Sequence, residues 1–350
     1  MPEPEVTGIA ADNVSEWIVS RRPTTAVPLT FDLIAGGHSN LTYRVTDANG
    51  QRLVLRRPPL GHVLATAHDM EREHTIISAL GPTDVPVPSV VGLCTDESVN
   101  GAPFYVMEYV DGNVIRNTQQ AELLTPQQRR TASDSLIDVL ALIHSVDVHE
   151  VGLSDLAKHD SYLERQLKRW YGQFCASREL AGNLDLREVD EAHALLAAHV
   201  PPQQGVAIVH GDYRLDNTML DSHGHVAAVL DWEICTLGDP LADLGLLCVY
   251  WTDPGEPAVM PQASPTSLEG FARSSELIER YAATSSRDLS QIDYYIAFGS
   301  WKLTCIIAGV YARYAAGAMG DVSAEQVEGF EHMVKTLATQ TMSELERALR

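Results

Sequence analysis

Near the amino terminus, apolar and polar positions alternate in three short runs, the pattern of strands with one buried face. The runs "LTFDLI", "LTYRVTD" and "RLVLRRP" lie within residues 29–58. Alternation at every second residue predicts β-strands. The loop "AGGHSN" joins the first two runs, and "DANG" between the second and third is a tight-turn signal that predicts a hairpin. We therefore expect an antiparallel meander.

Helical periodicity surrounds this meander. The segment "DNVSEWIVSRR" predicts a short amphipathic helix with Asp12 or Asn13 near its cap. In "AHDMEREHTIISAL" apolar residues recur at helical spacing, and His68–Asp69 fits the cap of this helix. Two further strands are predicted in "SVVGLCTD" and "PFYVMEYV". The first part of the chain should thus contain five strands and one main helix.

From about residue 125 the pattern is mostly helical. Thr125 is a predicted cap, with Pro126 at the first helical position. The exception is a pair of short apolar segments, "GVAIVH" and "HVAAVLDW", predicted to form a β-hairpin. The break near Asp111 and Gly112 is a candidate hinge, which divides the chain into regions 1–110 and 111–350.

Composition and charge limit the partners. The chain has 350 residues and a net charge of −22, from 47 acidic and 25 basic residues, which argues against nucleic-acid binding. This charge fits either solubility or a cationic substrate. The scattered cysteines and the acidic amino terminus, which lacks a signal-peptide core, favour the cytoplasm. The apolar tract "YYIAFGSWKLTCIIAGVYARY" is interrupted by Lys302 and Arg313, so we expect a core helix and no membrane partner. The oligomeric state stays open.

The stretch "VHGDYRLDNTML" places many polar groups between apolar segments. Asp212 precedes Asn217 by five positions, and Asp231 ends the apolar run "VAAVL". A carboxylate and an amide oxygen are ligands of the kind that Mg²⁺ accepts. Metal-facing Asn217 and Asp231, together with Asp212 as a base, would suit phosphoryl transfer to a hydroxyl group. The alternative is a pair of capped loops that happen to be acidic.

The segment "HGDYRLDN", followed by "LDWE" and "GDPLADLG", resembles the catalytic and metal-binding segments of the aminoglycoside phosphotransferase-like (choline kinase-like) family. That family has a protein-kinase-like fold. The resemblance implies an α+β bilobal protein: a small nucleotide-binding lobe over 1–110, with an antiparallel sheet and one main helix, and a larger, mostly helical catalytic and acceptor-binding lobe over 111–350. It assigns the base to Asp212 and the metal ligands to Asn217 and Asp231.

The same resemblance covers the nucleotide-binding segments. "AGGHSNLTYRV" is similar to the loop of that family whose backbone amides face the phosphates. Its residues here are Gly36, Gly37, His38, Ser39 and Asn40. "FYVMEYVDG" is similar to the segment that binds adenine through main-chain groups. Met107 would be the gatekeeper, with Glu108 and Val110 making the backbone contacts; simple core packing of Met107 is compatible with this role.

The third strand departs from the family pattern. Many relatives carry a phosphate-binding Lys there, whereas this chain has "VLRRPP". Counting along the strand puts Arg56 at that position and Arg57 on the opposite face. The guanidinium fork suits phosphate, although Arg and Lys are not interchangeable. Glu73 is the expected partner of Arg56, with Glu71 as second choice. The alternative is a surface salt bridge of little energetic value.

The function implied is an ATP- or GTP-dependent phosphotransferase that uses Mg²⁺ and acts on a small-molecule hydroxyl. A nucleotide-binding pseudokinase is the rival hypothesis, and a protein kinase is a weaker one. Relatives with a similar start also occur fused to acyl-CoA dehydrogenases. Basic residues cluster in 164–178, beside aromatic residues. We therefore predict an anionic or acyl-type hydroxy acceptor, with an aminoglycoside or other amino alcohol as the alternative. These basic side chains could also simply pair with acidic neighbours.

Overall fold

The computed structural model describes residues 6–35, 40–60, 69–158, 160–182, 184, 186–256, 264–317 and 323–350. The chain forms two compact units. Unit 1 comprises Met1–Gly112, Val151–Leu153 and Ala227–Ile234, and unit 2 comprises the remaining segments, Asn113–Glu150, Ser154–Val226 and Cys235–Arg350. Asp231 therefore belongs to unit 1, whereas Asp212 and Asn217 belong to unit 2.

Unit 1 contains the predicted antiparallel sheet. Its elements are α1 (Ala11–Arg21), β1 (Thr30–Ala35), β2 (Leu41–Thr46), β3 (Arg52–Arg57), α2 (Met70–Leu80), β4 (Val90–Cys94), α3 (Glu97–Asn100) and β5 (Phe104–Glu108). The strand order is β1-β2-β3-β5-β4, with every neighbouring pair antiparallel. The five-stranded sheet and its two longer helices confirm the predicted small antiparallel region.

The core of unit 1 explains this arrangement. Val14 and Ile18 of α1 pack with Tyr43, Leu55 and other buried residues from one face of the sheet. Alternation along β2 and β3 places such side chains on one face. Helix α1 begins at Ala11 with Ala10 at its cap position, and Asp12 lies in its first turn, near the cap as predicted. The predicted cap of α2 is confirmed.

Asp69 caps α2 by accepting a hydrogen bond from the Arg72 amide at 3.0 Å. In unit 2, Thr125 caps α5 (Pro126–Ser145) in a capping box with Gln128, and Pro126 is the first helical residue, as predicted.

Unit 2 is mostly helical. Its elements are α4 (Thr118–Glu122), α5 (Pro126–Ser145), α6 (Tyr162–Ala181), α7 (Arg187–Ala198), β6 (Ala207–Val209), β7 (Thr218–Leu220), β9 (Thr236–Gly238), α8 (Leu241–Tyr250), α9 (Ser274–Thr284), α10 (Ile292–Ala315) and α11 (Ala324–Ala348). Strand β8 (Val226–Val229) runs across the boundary between the units. Short 3₁₀ turns occupy Leu215–Asn217 and Pro265–Ser267.

The predicted hairpin between "GVAIVH" and "HVAAVLDW" was wrong. Strand β6, in the first segment, pairs with β9 in antiparallel register, with Ile208 opposite Leu237. Strand β9 follows "LDWE" in the sequence, and the segment "TLGD" leads from this strand towards α8. Short strands offer too few alternating positions to define their partner, so tertiary packing selects it.

Helix α10 is the central helix of unit 2. By length and composition it is the one described helix that could cross a membrane, but 78% of its apolar window is buried inside the protein. It packs against α6, α8 and α11, and Tyr295, Phe298 and Trp301 are buried. This burial agrees with the predicted core helix.

Candidate active site

Arg56 joins two carboxylates in unit 1. Its Nε lies 3.2 Å from Oε2 of Glu73, and its Nη2 lies 3.2 Å from Oδ1 of Asp231. The Arg56 side chain is 14% exposed and that of Glu73 is 1% exposed. The predicted partner of Arg56 is therefore confirmed as Glu73, and the pair is buried rather than a surface salt bridge.

The register of β3 explains why Arg56 and Arg57 differ. Arg56 lies opposite Thr42 of β2 and Tyr105 of β5. Arg57 points to the other face, since side chains alternate along a strand. There its Nη1 donates to the carbonyl oxygens of Gly8 and Asn100. Arg57 is thus a buried structural residue, and Arg56 alone reaches the carboxylates.

Glu73 is surrounded by donors. It accepts hydrogen bonds from the Tyr105 hydroxyl at 2.8 Å and from Nδ2 of Asn40 at 2.6 Å. Burial raises the pKa of Glu73, and the Arg56 guanidinium and the Tyr105 hydroxyl oppose the rise. Burial also acts to lower the pKa of Arg56, but its anionic neighbours more than compensate and raise it. Because Arg stays protonated in proteins, this ion pair holds its charges in a site with little solvent.

We call these side chains the Arg56 cluster: Arg56, Glu73, Tyr105, Asn40 and Asp231. Tyr105 was missed in the sequence, where it appears only as an apolar strand position. Its place opposite Arg56 is set by the pairing of β3 with β5, which the sequence pattern did not indicate. Asn40 also donates to Oε2 of Glu233 at 3.4 Å, which ties "LDWE" to the start of β2.

Asp231 has a backbone conformation that non-glycine residues rarely adopt. Its φ is 63°, in the left-handed region, immediately after the buried strand β8. Such conformations cost on the order of 1–3 kcal/mol and cluster at functional sites. The Asp231 side chain is 40% exposed, so its carboxylate is accessible as well as paired. A partly exposed carboxylate fits a hard divalent cation such as Mg²⁺.

The predicted adenine-binding segment follows β5 in the sequence. Met107 is buried, at 6% exposure, so it packs in the interior of unit 1. The Glu108 amide donates to the Ser89 carbonyl at 2.8 Å, and its side chain pairs with Arg22 at 3.2 Å. Val110 lies just beyond the end of β5. Gly36, Gly37, His38 and Ser39 lie outside the described residues.

The Asp212 loop, residues 210–217, belongs to unit 2. Nδ2 of Asn217 donates to both the carbonyl oxygen and Oδ2 of Asp212, at 2.8 and 2.9 Å. Because the amide nitrogen of Asn217 is used in this way, its oxygen is the group left to act as a ligand or acceptor. The short 3₁₀ turn Leu215–Asn217 bends the chain so that the two residues meet.

The backbone before Asp212 is held from two sides. Oδ2 and Oδ1 of the buried Asp243 accept from the amides of His210 and Gly211, at 2.7 and 2.8 Å. Nζ of Lys302 donates to the Gly211 carbonyl at 2.8 Å. Gly211 has a φ of 86°, which favours glycine. Lys302 was seen in the sequence only as an interruption of an apolar tract.

Ionisable groups surround the Asp212 carboxylate. Nε of Arg214 lies 3.6 Å from Oδ2 of Asp212 and 2.9 Å from Oδ1 of Asp216. The Tyr250 hydroxyl lies beside the Asp212 carboxylate, and burial together with this carboxylate raises the pKa of Tyr250. Burial raises the pKa of Asp216, and Arg214 opposes this. Asp212 is thus oriented by Asn217 and lies close to Tyr250 and to the Arg214 guanidinium.

A cavity of about 550 Å³ lies beside this loop within unit 2. Two cationic side chains, Arg116 and Arg214, and one carboxylate, Asp216, are among its lining residues. Much of the remaining wall is apolar or aromatic: Ile115, Leu215, Leu247, Tyr250, Trp251, Ile307, Phe330 and Met333. Tyr250 lines the cavity and contacts Asp212, so the cavity lies next to the predicted base.

The basic segment 164–178 does not line this cavity. It lies in α6, where Arg178 pairs with Asp190 at 2.9 Å and Arg165 approaches Asp160 at 3.8 Å. Trp170 and Phe174 of the same helix are buried. For Arg165 and Arg178 the structure therefore shows pairing with acidic neighbours, and the acceptor predicted from this segment stays a prediction.

Comparisons with known proteins show the family of this chain. A family model described as the phosphotransferase enzyme family matches residues 30–277. The chain is 35% identical over 294 residues to acyl-CoA dehydrogenase family member 10 of Mus musculus, covering 83% of this chain and 27% of that protein. The chain spans less than half the length of the first curated relatives it matches.

Solved structures share the fold. A protein from Ralstonia eutropha, provisionally named an aminoglycoside phosphotransferase, is similar at 30% identity and a TM-score of 0.80, covering 96% of this chain and 98% of that one. An ADP-bound aminoglycoside phosphotransferase matches at 15% identity and a TM-score of 0.60, covering 95% and 99%. Choline kinases have the same fold. The predicted α+β, protein-kinase-like fold is confirmed, and the chain belongs to the phosphotransferase enzyme family.

Proposed function

We propose that this chain transfers the γ-phosphoryl group of ATP or GTP to a hydroxyl group of a small molecule, with Mg²⁺ as cofactor. The observation that carries the proposal is the pairing of Asp212 with Asn217 in a loop whose backbone is held by Asp243 and Lys302. A carboxylate oriented in this way suits a general base, whose efficiency depends on its position.

In the proposed reaction, the acceptor oxygen attacks the γ-phosphorus and forms the new P–O bond. The bond from that phosphorus to the β,γ-bridging oxygen breaks, and its electron pair leaves with the nucleoside diphosphate. The hydroxyl proton passes to the carboxylate of Asp212. Arg56 binds phosphate oxygens with its guanidinium fork. Asn217 and Asp231 would hold Mg²⁺, which would neutralise phosphate charge when bound.

Nucleotide binding is proposed for unit 1. Met107, Glu108 and Val110 would bind adenine, while residues 36–40 would cover the phosphates. Supporting this, the Arg56 cluster concentrates a buried cation and an exposed carboxylate in the same unit. One structural neighbour is ADP-bound.

For the acceptor we propose an anionic or acyl-type hydroxy compound that binds in the cavity beside Tyr250. Its lining has two arginines and one aspartate. A polycationic aminoglycoside would require an excess of carboxylates, which this lining lacks. The largely apolar wall suits a hydrocarbon chain, and Arg116 suits an anionic end group. Amino alcohols remain the alternative acceptors.

One observation favours a second function. Arg56, which stands where many relatives have Lys, forms ion pairs with the buried Glu73 and the partly exposed Asp231. If these pairs persist with nucleotide present, Arg56 would not bind phosphate, and the chain would act as a nucleotide-binding pseudokinase. The retained Asp212 and Asn217 favour the enzyme.

The test is a panel of hydroxyl compounds screened for Mg²⁺-dependent release of ADP or GDP. The panel contains amino sugars, choline-like alcohols, hydroxy acids and hydroxyacyl-CoAs. Turnover of an acyl or anionic compound that disappears on chelation of Mg²⁺ would support the full proposal. Turnover of amino sugars only would replace the acceptor and keep the reaction. Nucleotide binding without any turnover would favour the pseudokinase.

The proposed location is the cytoplasm. Cys94, Cys248 and Cys305 are buried thiols, which fits a reducing compartment.

A further inference from the structure

Helix α10 carries a lysine in the interior of unit 2. Lys302 is 5% exposed, whereas Lys158, Lys168 and Lys335 are exposed. Burial of an ammonium group is costly unless hydrogen bonds and opposite charges compensate for lost hydration. A hydrophobic residue at this position would pack in the same core without that cost. The presence of Lys302 therefore calls for a specific partner.

That partner is the backbone of the Asp212 loop. Nζ of Lys302 donates to the Gly211 carbonyl at 2.8 Å and lies 5.6 Å from the centre of the Trp170 ring. The Gly211 carbonyl belongs to the peptide unit that leads directly into Asp212. The Gly211 amide, on the other side of the same residue, donates to Asp243. The left-handed conformation of Gly211 is thus held from both directions.

Charge balance explains why a cation is used. Asp243 is buried at 1% exposure and accepts hydrogen bonds from two amides of the loop. Asp212 adds a second carboxylate to this region. Attraction to Asp243 and Asp212 opposes the lowering of the Lys302 pKa by burial. A charged donor to a carbonyl is also stronger than a neutral one.

We propose that Lys302 is a positioning residue that holds the Gly211–Asp212 peptide and thereby aims the Asp212 carboxylate at the acceptor hydroxyl. This inference rests on the proposed function for its kinetic consequence, but the contact itself concerns only the loop. Nothing in the apolar composition of α10 requires the ammonium group, and among the described residues no other lysine reaches a loop backbone from a core helix.

The first test measures the loop without using activity. Amide hydrogen exchange of the 209–217 peptide is compared in the whole chain carrying Lys302→Met and in the wild type. Loss of a charged hydrogen bond to this backbone should raise exchange there on the order of tenfold or more. Exchange in the α6 and α11 peptides should change much less. Unchanged exchange in 209–217 would overturn the proposal.

The second test measures turnover with ATP, Mg²⁺ and the best acceptor of the panel. Lys302→Met should lower kcat by about tenfold to a hundredfold, with little change in the nucleotide KM, because a misplaced base affects the chemical step. The control is Lys158→Met, at an exposed loop position. Equal kcat values for wild type and Lys302→Met would contradict the inference. A wild type without turnover would refute the proposed function and leave the exchange test decisive.

Further variants remain informative if Lys302→Met does not fold. Lys302→Gln keeps a neutral donor and Lys302→Arg keeps the charge. Positioning predicts a kcat order of wild type, then Arg, then Gln, at temperatures well below each Tm. A purely structural role predicts that the folded variants have lower Tm values than the wild type but the same kcat. That outcome would refute the proposal.

Discussion

Nη2 of Arg56, on strand β3, lies 3.2 Å from Oδ1 of Asp231, which is 175 residues later in the chain. The same guanidinium contacts Glu73 on α2. The Arg56 guanidinium therefore connects the carboxylates of Glu73 and Asp231. Arg56, the proposed phosphate ligand, thus holds Asp231, the proposed metal ligand. Changes at either residue should affect nucleotide binding, for different physical reasons.

Asp231→Ala should remove the dependence of nucleotide affinity on Mg²⁺. The proposed metal would lose its main anionic ligand, and Arg56 would keep Glu73 as its partner. Calorimetric titration with ATP, with and without Mg²⁺, measures this. The control is Asp32→Ala, at an exposed position of β1 paired with Arg44. A mutant that keeps the wild-type Mg²⁺ dependence would show that the metal is held elsewhere.

Arg56→Ala should raise the nucleotide KM, and Arg57→Ala should leave it nearly unchanged. Arg56 reaches the cluster, whereas Arg57 donates to the Gly8 and Asn100 carbonyls on the other face of the sheet. For Arg57→Ala the expected effect is lower stability, because buried carbonyl oxygens lose their donor. Steady-state kinetics and thermal unfolding of both variants distinguish these effects. The reverse ranking of KM would remove Arg56 from phosphate binding.

Asp212→Asn should leave nucleotide affinity close to that of the wild type and lower kcat by roughly 10²-fold or more, the usual effect of losing a positioned base. The amide is nearly isosteric, so contacts with Asn217 and Tyr250 limit structural change. Asp155→Asn, at an exposed loop position, is the matched control. Wild-type turnover in Asp212→Asn would exclude this residue from the mechanism.

Gly329→Leu should narrow acceptor specificity. Gly329 lines the cavity beside the Asp212 loop, and a Cβ added there would meet open space. Replacement of a helical glycine should also stabilise α11 by up to about 1 kcal/mol. We therefore expect an equal or higher Tm together with a several-fold rise in KM that grows with acceptor size.

The control for this variant is Gly172→Leu, because Gly172 is also a helical glycine facing open space but lies on α6, away from the cavity. An acceptor series of increasing chain length measures the effect. Identical KM profiles for Gly329→Leu and Gly172→Leu would mean that the acceptor binds elsewhere.

Stability should fall at acidic pH through His144. Burial lowers the pKa of this imidazole, although the Asp243 and Asp239 carboxylates raise it and Arg287 opposes them. The unfolded chain binds a proton near pH 6.5 and the folded chain does not, so stability is lost as pH falls below about 6.5. One such proton gives a slope of at most about 1.4 kcal/mol per pH unit.

Urea unfolding at neutral and mildly acidic pH measures this slope for wild type and for His144→Gln. The glutamine should reduce the loss of stability, since it removes the proton uptake and can still bond to Tyr281 and Asp243. Other buried histidines contribute equally to both proteins, so the difference isolates His144. Equal slopes would show that its protonation is not linked to unfolding.

Local patterns determined much of this protein. Alternation predicted the sheet of unit 1, capping chemistry predicted the starts of α2 and α5, and strand periodicity separated Arg56 from Arg57. Helical spacing favoured Glu73 over Glu71. Each of these features depends on residues close together in the chain, whose geometry follows from the period of a strand or helix. Likewise, the segment "HGDYRLDN" contains both Asp212 and Asn217, which lie close together in the chain.

Tertiary structure decided the remainder. The pairing of β6 with β9 and the contacts of Lys302 with Gly211 and of Tyr105 with Glu73 join segments far apart in sequence. In the sequence Lys302 and Tyr105 look like ordinary positions of an apolar helix and strand. Their roles arise because burial makes a polar group dependent on whichever partner the fold brings to it, and local periodicity contains no information about that partner.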